Sequence, residues 1–122
     1  MKSVVISIPT AEITDWPSFH EVFKTTLGFP HFYGRNMDAW IDCMTSIDRA
    51  DDGMSAITVE PGQLLIMEID DELRVRCPEQ FIAVVECTGF VNRRRKRSAS
   101  RQYWAYCWAN HRARQFDKLE RR

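Results

Sequence analysis

The stretch FYGRNMDAWIDCM (residues 32–44) joins an aromatic-glycine turn to an amphipathic helix. Asn36 is a good N-cap, and the apolar residues after it recur at i, i+3, i+4 and i+7, which predicts a core-facing side: Met37, Trp40, Ile41 and Met44. Asp38 and Asp42 then share the opposite face, although like charges four residues apart cost a helix about 0.2–0.5 kcal/mol. The helix dipole explains only Asp38, in the first turn. Asp42, which lies one turn further into the helix, needs another explanation.

The elements before this helix predict a strand and a first helix. SVVISIP (residues 3–9) is rich in β-branched residues, and its proline ends the run. TDWPSFHEVFKTTLGF (residues 14–29) reads as a helix that starts at a Ser18–Glu21 capping box and stops at Gly28. Its apolar spacing predicts one buried face: Phe19, Val22, Phe23 and Leu27.

A second strand and a third helix are predicted after a polar connection over residues 47–62. QLLIMEID (residues 63–70) holds four consecutive apolar residues, which is typical of a strand covered on both faces. CPEQFIAVVECTGFVNRRR (residues 77–95) reads as a helix with Pro78 at its start and four core candidates: Phe81, Val84, Val85 and Val91. The order strand, helix, helix, strand, helix predicts an α/β fold with a small parallel sheet, whose third strand would follow the last helix.

Length and composition fit one compact globular domain. The chain has 122 residues, of which 44% are hydrophobic and 28% charged. It holds no apolar run long enough to span a membrane, and the apolar run at its start is too short for a signal peptide, so we expect a cytoplasmic protein. The four cysteines show no Cys-x-x-Cys spacing, so we expect small buried side chains and no metal or other cofactor: Cys43, Cys77, Cys87 and Cys107.

A formal net charge of zero conceals an acidic body and a basic end. Residues 1–90 carry 6 Lys/Arg and 15 Asp/Glu, whereas residues 91–122 carry 11 basic and 2 acidic side chains. An acidic body repels nucleic acid and attracts basic proteins. We therefore divide the chain into a domain over residues 1–92 and a basic, aromatic tail over residues 93–122.

The tail has several open explanations. Its segment QYWAYCWA (residues 102–109) is one candidate for the third strand, although its aromatics lie between basic runs. Such runs can also bind single-stranded nucleic acid, which we do not expect here, or form a solvated tail. Shifting the reading frame by two nucleotides within this segment would give Val or Ile, Leu, Gly, then Leu, Ile or Val, then Leu, Leu, Gly. That plain apolar strand raises the hypothesis of a frameshift near residues 93–97.

The motif at residues 32–43 resembles the barstar family of intracellular ribonuclease inhibitors. The family pattern is an aromatic pair, Gly, x, Asn, an apolar residue, Asp-Ala, two further positions and Asp-Cys, which here reads FYGRNMDAWIDC. The resemblance is strong over residues 15–47, architectural over residues 1–14 and 60–92, and ends near residue 93. It implies a three-stranded parallel sheet with helices on both sides, and a monomer whose second helix and preceding loop block a ribonuclease active site.

The resemblance also implies roles for individual residues. Asp42 matches the principal acidic anchor, which takes the place of the substrate phosphate, and Asp38 matches a second acidic contact. Phe32 matches an aromatic that packs on the enzyme's catalytic histidine. Five further positions would shape or extend the interface: Tyr33 and Gly34 in the loop, Asn36 as the helix cap, Ile41 on the helix, and Glu86 as the late acidic contact.

Three departures from the family pattern indicate a partner surface different from that of barnase itself. Ile41 stands where the family has a tryptophan, with Trp40 just before it. Phe32 lacks the hydroxyl of the family's tyrosine, and Arg35 replaces an acidic residue.

Two other classes of function stay open beside a ribonuclease inhibitor or toxin-immunity protein. A non-inhibitory binding or regulatory module could keep the same fold. An enzyme would need catalytic groups, but the sequence shows no glycine-rich phosphate loop, metal-ligand spacing or nucleophile elbow. His20 is expected on the helix surface and His31 in the solvated loop, so we expect no catalytic site.

Overall fold

The computed structural model describes residues 3–47, 49–60, 63–96 and 106–111. Strand β1 (Ser3–Ser7) pairs in parallel with strand β2 (Leu64–Ile69), with Ser3 opposite Leu64 and Ser7 opposite Glu68. The predicted α/β class with a small parallel sheet is confirmed. On the other edge of β2, the backbone of Tyr106–His111 (β3) also runs parallel, which gives the order β1-β2-β3.

Four helices accompany these strands: α1 (Trp16–Leu27), α2 (Met37–Thr45), α3 (Glu72–Arg76) and α4 (Pro78–Lys96). Two 3-10 turns are shorter, at Thr10–Glu12 and Ala50–Asp52. Helices α1, α2 and α4 lie where the sequence predicts them, whereas α3 was not predicted. None of the helices in the described part of the chain is long and apolar enough to cross a membrane.

The N-cap of helix α1 is Asp15, three residues before the predicted cap Ser18. The Asp15 carboxylate accepts from the Ser18 backbone N–H at 2.9 Å, and the Ser18 hydroxyl accepts from the Asp15 N–H at 3.0 Å. The predicted Ser18–Glu21 capping box is therefore wrong, because Ser18 is the third residue of the helix rather than its cap. Glu21 instead pairs with Arg35 of the loop before α2.

The predicted buried face of α1 is confirmed, and it packs into a core that α2 and β2 complete. Phe19, Phe23 and Leu27 are fully buried. In β2 the burial alternates: one set of side chains is buried, Leu65, Met67 and Ile69, and the other set is only partly covered. The strand is thus correctly predicted, but its second face is less covered than four consecutive apolar residues suggested.

Helix α4 buries Phe81, Val84 and Val91, as predicted, but not Val85, which is 46% exposed. Thr88 takes the remaining place on the buried face. Val85 directly follows a buried residue, and each step along a helix turns the side chain by about 100°. The prediction for Val85 is therefore wrong, and its side chain lies outside the buried face of α4.

The cysteine prediction is confirmed for Cys43 and Cys77, which are buried, while Cys87 is only partly covered. The side chain of Cys107 lies outside the described residues. Within the ranges that the structure describes, no three His, Cys, Asp or Glu side chains gather as a metal ion would require.

Gly28 ends α1 in the left-handed conformation, as predicted, and it also holds the chain that follows α2. Its φ is 69°, and its carbonyl accepts from the Ala56 N–H at 2.9 Å. A Cβ at this position would overlap with the Ala56 Cβ. The close approach adds a steric requirement to the ordinary preference for glycine at a helix end.

Gly28→Ala is expected to lower the free energy of unfolding by about 2–3 kcal/mol, which combines left-handed strain with overpacking. Urea denaturation would measure the loss. Gly53→Ala is the matched control, because Gly53 has a φ of 64° but no atom within 4 Å of the added Cβ. It should cost only about 1 kcal/mol, and equal losses for the two variants would contradict the role given to Ala56.

Candidate functional site

The loop before α2 directs its two aromatic side chains in opposite directions. Phe32 is 65% exposed, with His31 as its ring neighbour at 5.5 Å between centroids. Tyr33 is buried and packs on Phe29 at 4.9 Å between centroids. The loop therefore uses one aromatic as an anchor and presents the other to solvent.

Tyr33 is also anchored through a polar contact. Its hydroxyl lies 2.6 Å from Nδ1 of His20, which projects from α1 and is itself buried. Burial raises the pKa of Tyr33, so the phenol keeps its proton, and the tautomer of the His20 ring decides which of the two atoms donates. Burial, and secondarily the charge of Arg35, lowers the pKa of His20. The expectation that His20 is a surface residue is wrong, because its ring is the internal support of the loop.

This buried histidine should make stability depend on pH. A folded-state pKa below that of the unfolded chain means that the unfolded state binds more protons, so stability falls as the pH drops through and below about 6.5. Urea midpoints should therefore decrease between pH 7.5 and pH 5, above the range in which carboxylates titrate. His20→Gln should flatten this dependence, and an equally steep profile in the variant would exclude His20 as its source.

Gly34, Arg35 and Asn36 connect the loop to α2. Arg35 has a φ of 55°, an unusual conformation for a residue other than glycine, and its guanidinium donates to Glu21 at 2.8 Å. Asn36 caps the helix: its side-chain oxygen accepts from the Ala39 N–H at 2.8 Å, and its amide nitrogen donates to the Gly34 carbonyl at 3.3 Å. These contacts fix where the exposed face of α2 begins.

Helix α2 has a buried side and an exposed side. Trp40 is completely buried, and its ring meets Phe23 edge-on at 5.7 Å between centroids. Met44 is fully buried as well, whereas Met37 and Ile41 are only partly covered. Asp38 and Asp42 are exposed. The predicted core face therefore holds fully for Trp40 and Met44, and Ile41 lies at its edge.

Asp42 has a partner within the chain itself. Nη1 of Arg94, near the end of α4, lies 3.3 Å from the Asp42 carboxylate. The Arg94 side chain is 49% exposed and the Asp42 side chain 59% exposed, so the pair is open to solvent. Sequence reasoning missed this contact because it assigned Arg94 to a separate basic tail.

A shallow groove runs between α2 and α4, which pack against each other. Its lining brings the predicted residues Ile41 and Glu86 together with other residues of α4: Val85, Cys87, Gly89, Phe90 and Arg93. Burial, followed by the nearby charges of Glu86 and Asp38, raises the pKa of Cys87. The groove therefore combines apolar side chains with one carboxylate and one guanidinium in its lining, and the Asp38 carboxylate is close to Cys87.

The predicted site residues form two connected sets. Ile41 and Glu86 line the groove, and the charge of Asp38 acts on Cys87 in that lining. Asp42 lies beside Arg94 in a second depression, which Thr45, Ser46, Asp52 and Met54 complete. Phe32 and Gly34 are exposed on the loop that leads into α2, and Tyr33 is buried beneath it. Such a surface suits a protein ligand better than a small molecule, because the depressions are open and carry several charges.

A family model described as barstar (barnase inhibitor) matches residues 3–106. The chain belongs to the barstar family. The match runs beyond residue 93, where the sequence resemblance was expected to end, and it includes the whole of β2 and α4. Barstars are inhibitors rather than enzymes. The comparison with curated proteins gave no match.

Proposed function

We propose that this barstar-family chain is a cytoplasmic inhibitor of a small basic ribonuclease of the barnase type, or of a related toxin, and that it acts as a monomer without cofactor. The observation that carries the proposal is the exposed acidic face of α2. Asp38 and Asp42 stand in solvent on a helix whose other side is fixed by completely buried residues.

The chemistry of a ribonuclease supports this role. Its active site is cationic because it binds phosphate, and carboxylates held on a rigid helix imitate that phosphate through charge-assisted hydrogen bonds. We assign Asp42 as the anchor and Asp38 as a second acidic contact. Phe32 would pack on the enzyme's catalytic histidine, because it is the one exposed ring of the loop's aromatic pair.

The remaining assignments follow from the groove and the loop. Ile41 and Glu86 would contact the surface around the enzyme's active site, since both line the groove. Tyr33, Gly34 and Asn36 would act by positioning the loop and the start of α2. We also infer that the sheet is the three-stranded one of the family, with helices on both sides and residues 106–111 as its third strand, and that residues 93–122 form a basic, aromatic tail.

Long-range attraction would accompany these contacts. The excess of acidic side chains over residues 1–90 should speed encounter with a basic enzyme and weaken with added salt. A non-inhibitory binding module is the second candidate, because the Arg94–Asp42 contact partly neutralises this acidic face in the free chain.

An inhibition assay separates the two candidates. The purified chain should stop RNA cleavage by a barnase-type ribonuclease at a one-to-one ratio, with inhibition that declines as salt rises. Glu72→Gln, which removes an exposed acidic charge on α3, should inhibit as well as the unaltered chain. Binding without loss of cleavage would favour the non-inhibitory module.

A further inference from the structure

The anchor of the proposed interface is already paired in the free chain. Asp42 accepts from Nη1 of Arg94 at 3.3 Å, across the boundary between α2 and α4. A ribonuclease arginine that binds Asp42 through two parallel hydrogen bonds would use both carboxylate oxygens, one of which already accepts from Arg94. The two contacts therefore compete.

The neighbouring residue strengthens this basic edge. Arg93 lines the groove with Ile41 and Glu86, and its guanidinium lies 5.9 Å from the centre of the Phe90 ring. The end of α4 thus places one arginine in each of the two depressions that border α2. A partner whose approaching surface is entirely cationic would meet these arginines as well as the aspartates.

We propose that Arg94 competes with the partner's arginine for the Asp42 carboxylate. Arg94 thereby limits the affinity of this chain for ribonuclease sites that are entirely cationic. This inference rests on the proposed function and extends it to specificity. In the complex, Arg94 releases Asp42 and faces the partner. Enzymes that carry a carboxylate beside their cationic centre are preferred, because this carboxylate can pair with Arg94 in the complex. Breaking the Asp42–Arg94 pair then costs less binding free energy.

Titration calorimetry with a catalytically inactive barnase-type ribonuclease tests the proposal. An exposed ion pair is worth up to about 1 kcal/mol, so Arg94→Gln should tighten binding by about two- to fivefold at low salt. The gain should vanish in the Asp42→Asn background, because no pair is left to release. Arg74→Gln removes the same charge from α3, where the arginine pairs with Asp71, and it should change affinity less.

A readout without any partner keeps this test separate from that of the proposed function. In ¹⁵N-labelled protein, the Arg94 side-chain N–H resonance should shift on Asp42→Asn, and that of Arg74 should not. An unmoved Arg94 resonance would overturn the proposal whatever the ribonuclease does. A shifted resonance with unchanged or weaker binding of Arg94→Gln would also overturn it. A shifted resonance with no binding by any variant would overturn the proposed function and the competition with it.

Discussion

Asp42→Ala is expected to weaken binding of a barnase-type ribonuclease by at least about 30-fold, which corresponds to about 2 kcal/mol. The scale is that of acidic anchors at known interfaces, of which the largest belongs to barnase and barstar itself. The physical reason is that the enzyme's phosphate-binding cations lose their charged acceptor on α2 and stay buried without a partner. Calorimetric titration at low and high salt would measure the loss of affinity. The affinity of the Asp42→Ala variant should also depend less on salt than that of the unaltered chain.

The fold should survive this substitution, which makes the result interpretable. Asp42 is more than half exposed, and its ion pair with Arg94 is solvated, so urea denaturation should change by less than about 1 kcal/mol. Glu72→Gln serves as the matched charge control on α3. Equal affinities for the Asp42 and Glu72 variants would mean that α2 does not anchor the partner.

Trp40→Ala is expected to lower the free energy of unfolding by about 3–5 kcal/mol. The side chain is completely buried and packs edge-on against Phe23 of α1, so its removal leaves a cavity where α1 and α2 meet. A domain of this size has about 5–15 kcal/mol of stability in total. The variant should therefore be partly unfolded at 37 °C, as judged by far-ultraviolet circular dichroism.

Trp40→Phe is the variant that isolates packing from hydrogen bonding. Among the described residues, the indole Nε1 of Trp40 has no acceptor, so the loss of this N–H removes a buried unsatisfied donor. The smaller ring should cost less than about 1.5 kcal/mol. If Trp40→Ala kept its stability but lost ribonuclease binding, Trp40 would be a contact residue, in contradiction to its burial.

Local patterns sufficed for much of the fold. The spacing of apolar residues located α1, α2 and α4, and the β-branched run located β1, because helices and strands repeat with different periods. The same spacing identified Trp40 as core and left Asp38 and Asp42 outside. The match to the family motif then supplied a use for those two side chains.

What failed depends on contacts between distant parts of the chain. His20 was assigned to the surface because nothing near it in sequence shows that Tyr33 closes over its ring. The Arg94–Asp42 contact joins residues 52 positions apart and requires the packing of α4 on α2. Val85 shows a different limit, since an apolar side chain beside a buried one need not itself be buried.

The nine residues of α2 divide into side chains that hold the protein together and side chains that the proposed function assigns to recognition. Trp40 and Met44 could stay unchanged while Asp38 and Asp42 vary, because the first two side chains are fully buried and the other two are exposed. A lineage of such proteins can therefore acquire new targets without losing its scaffold. The same division lets a designer build mutually exclusive inhibitor–toxin pairs from a single parent by altering only the solvent side of one short helix.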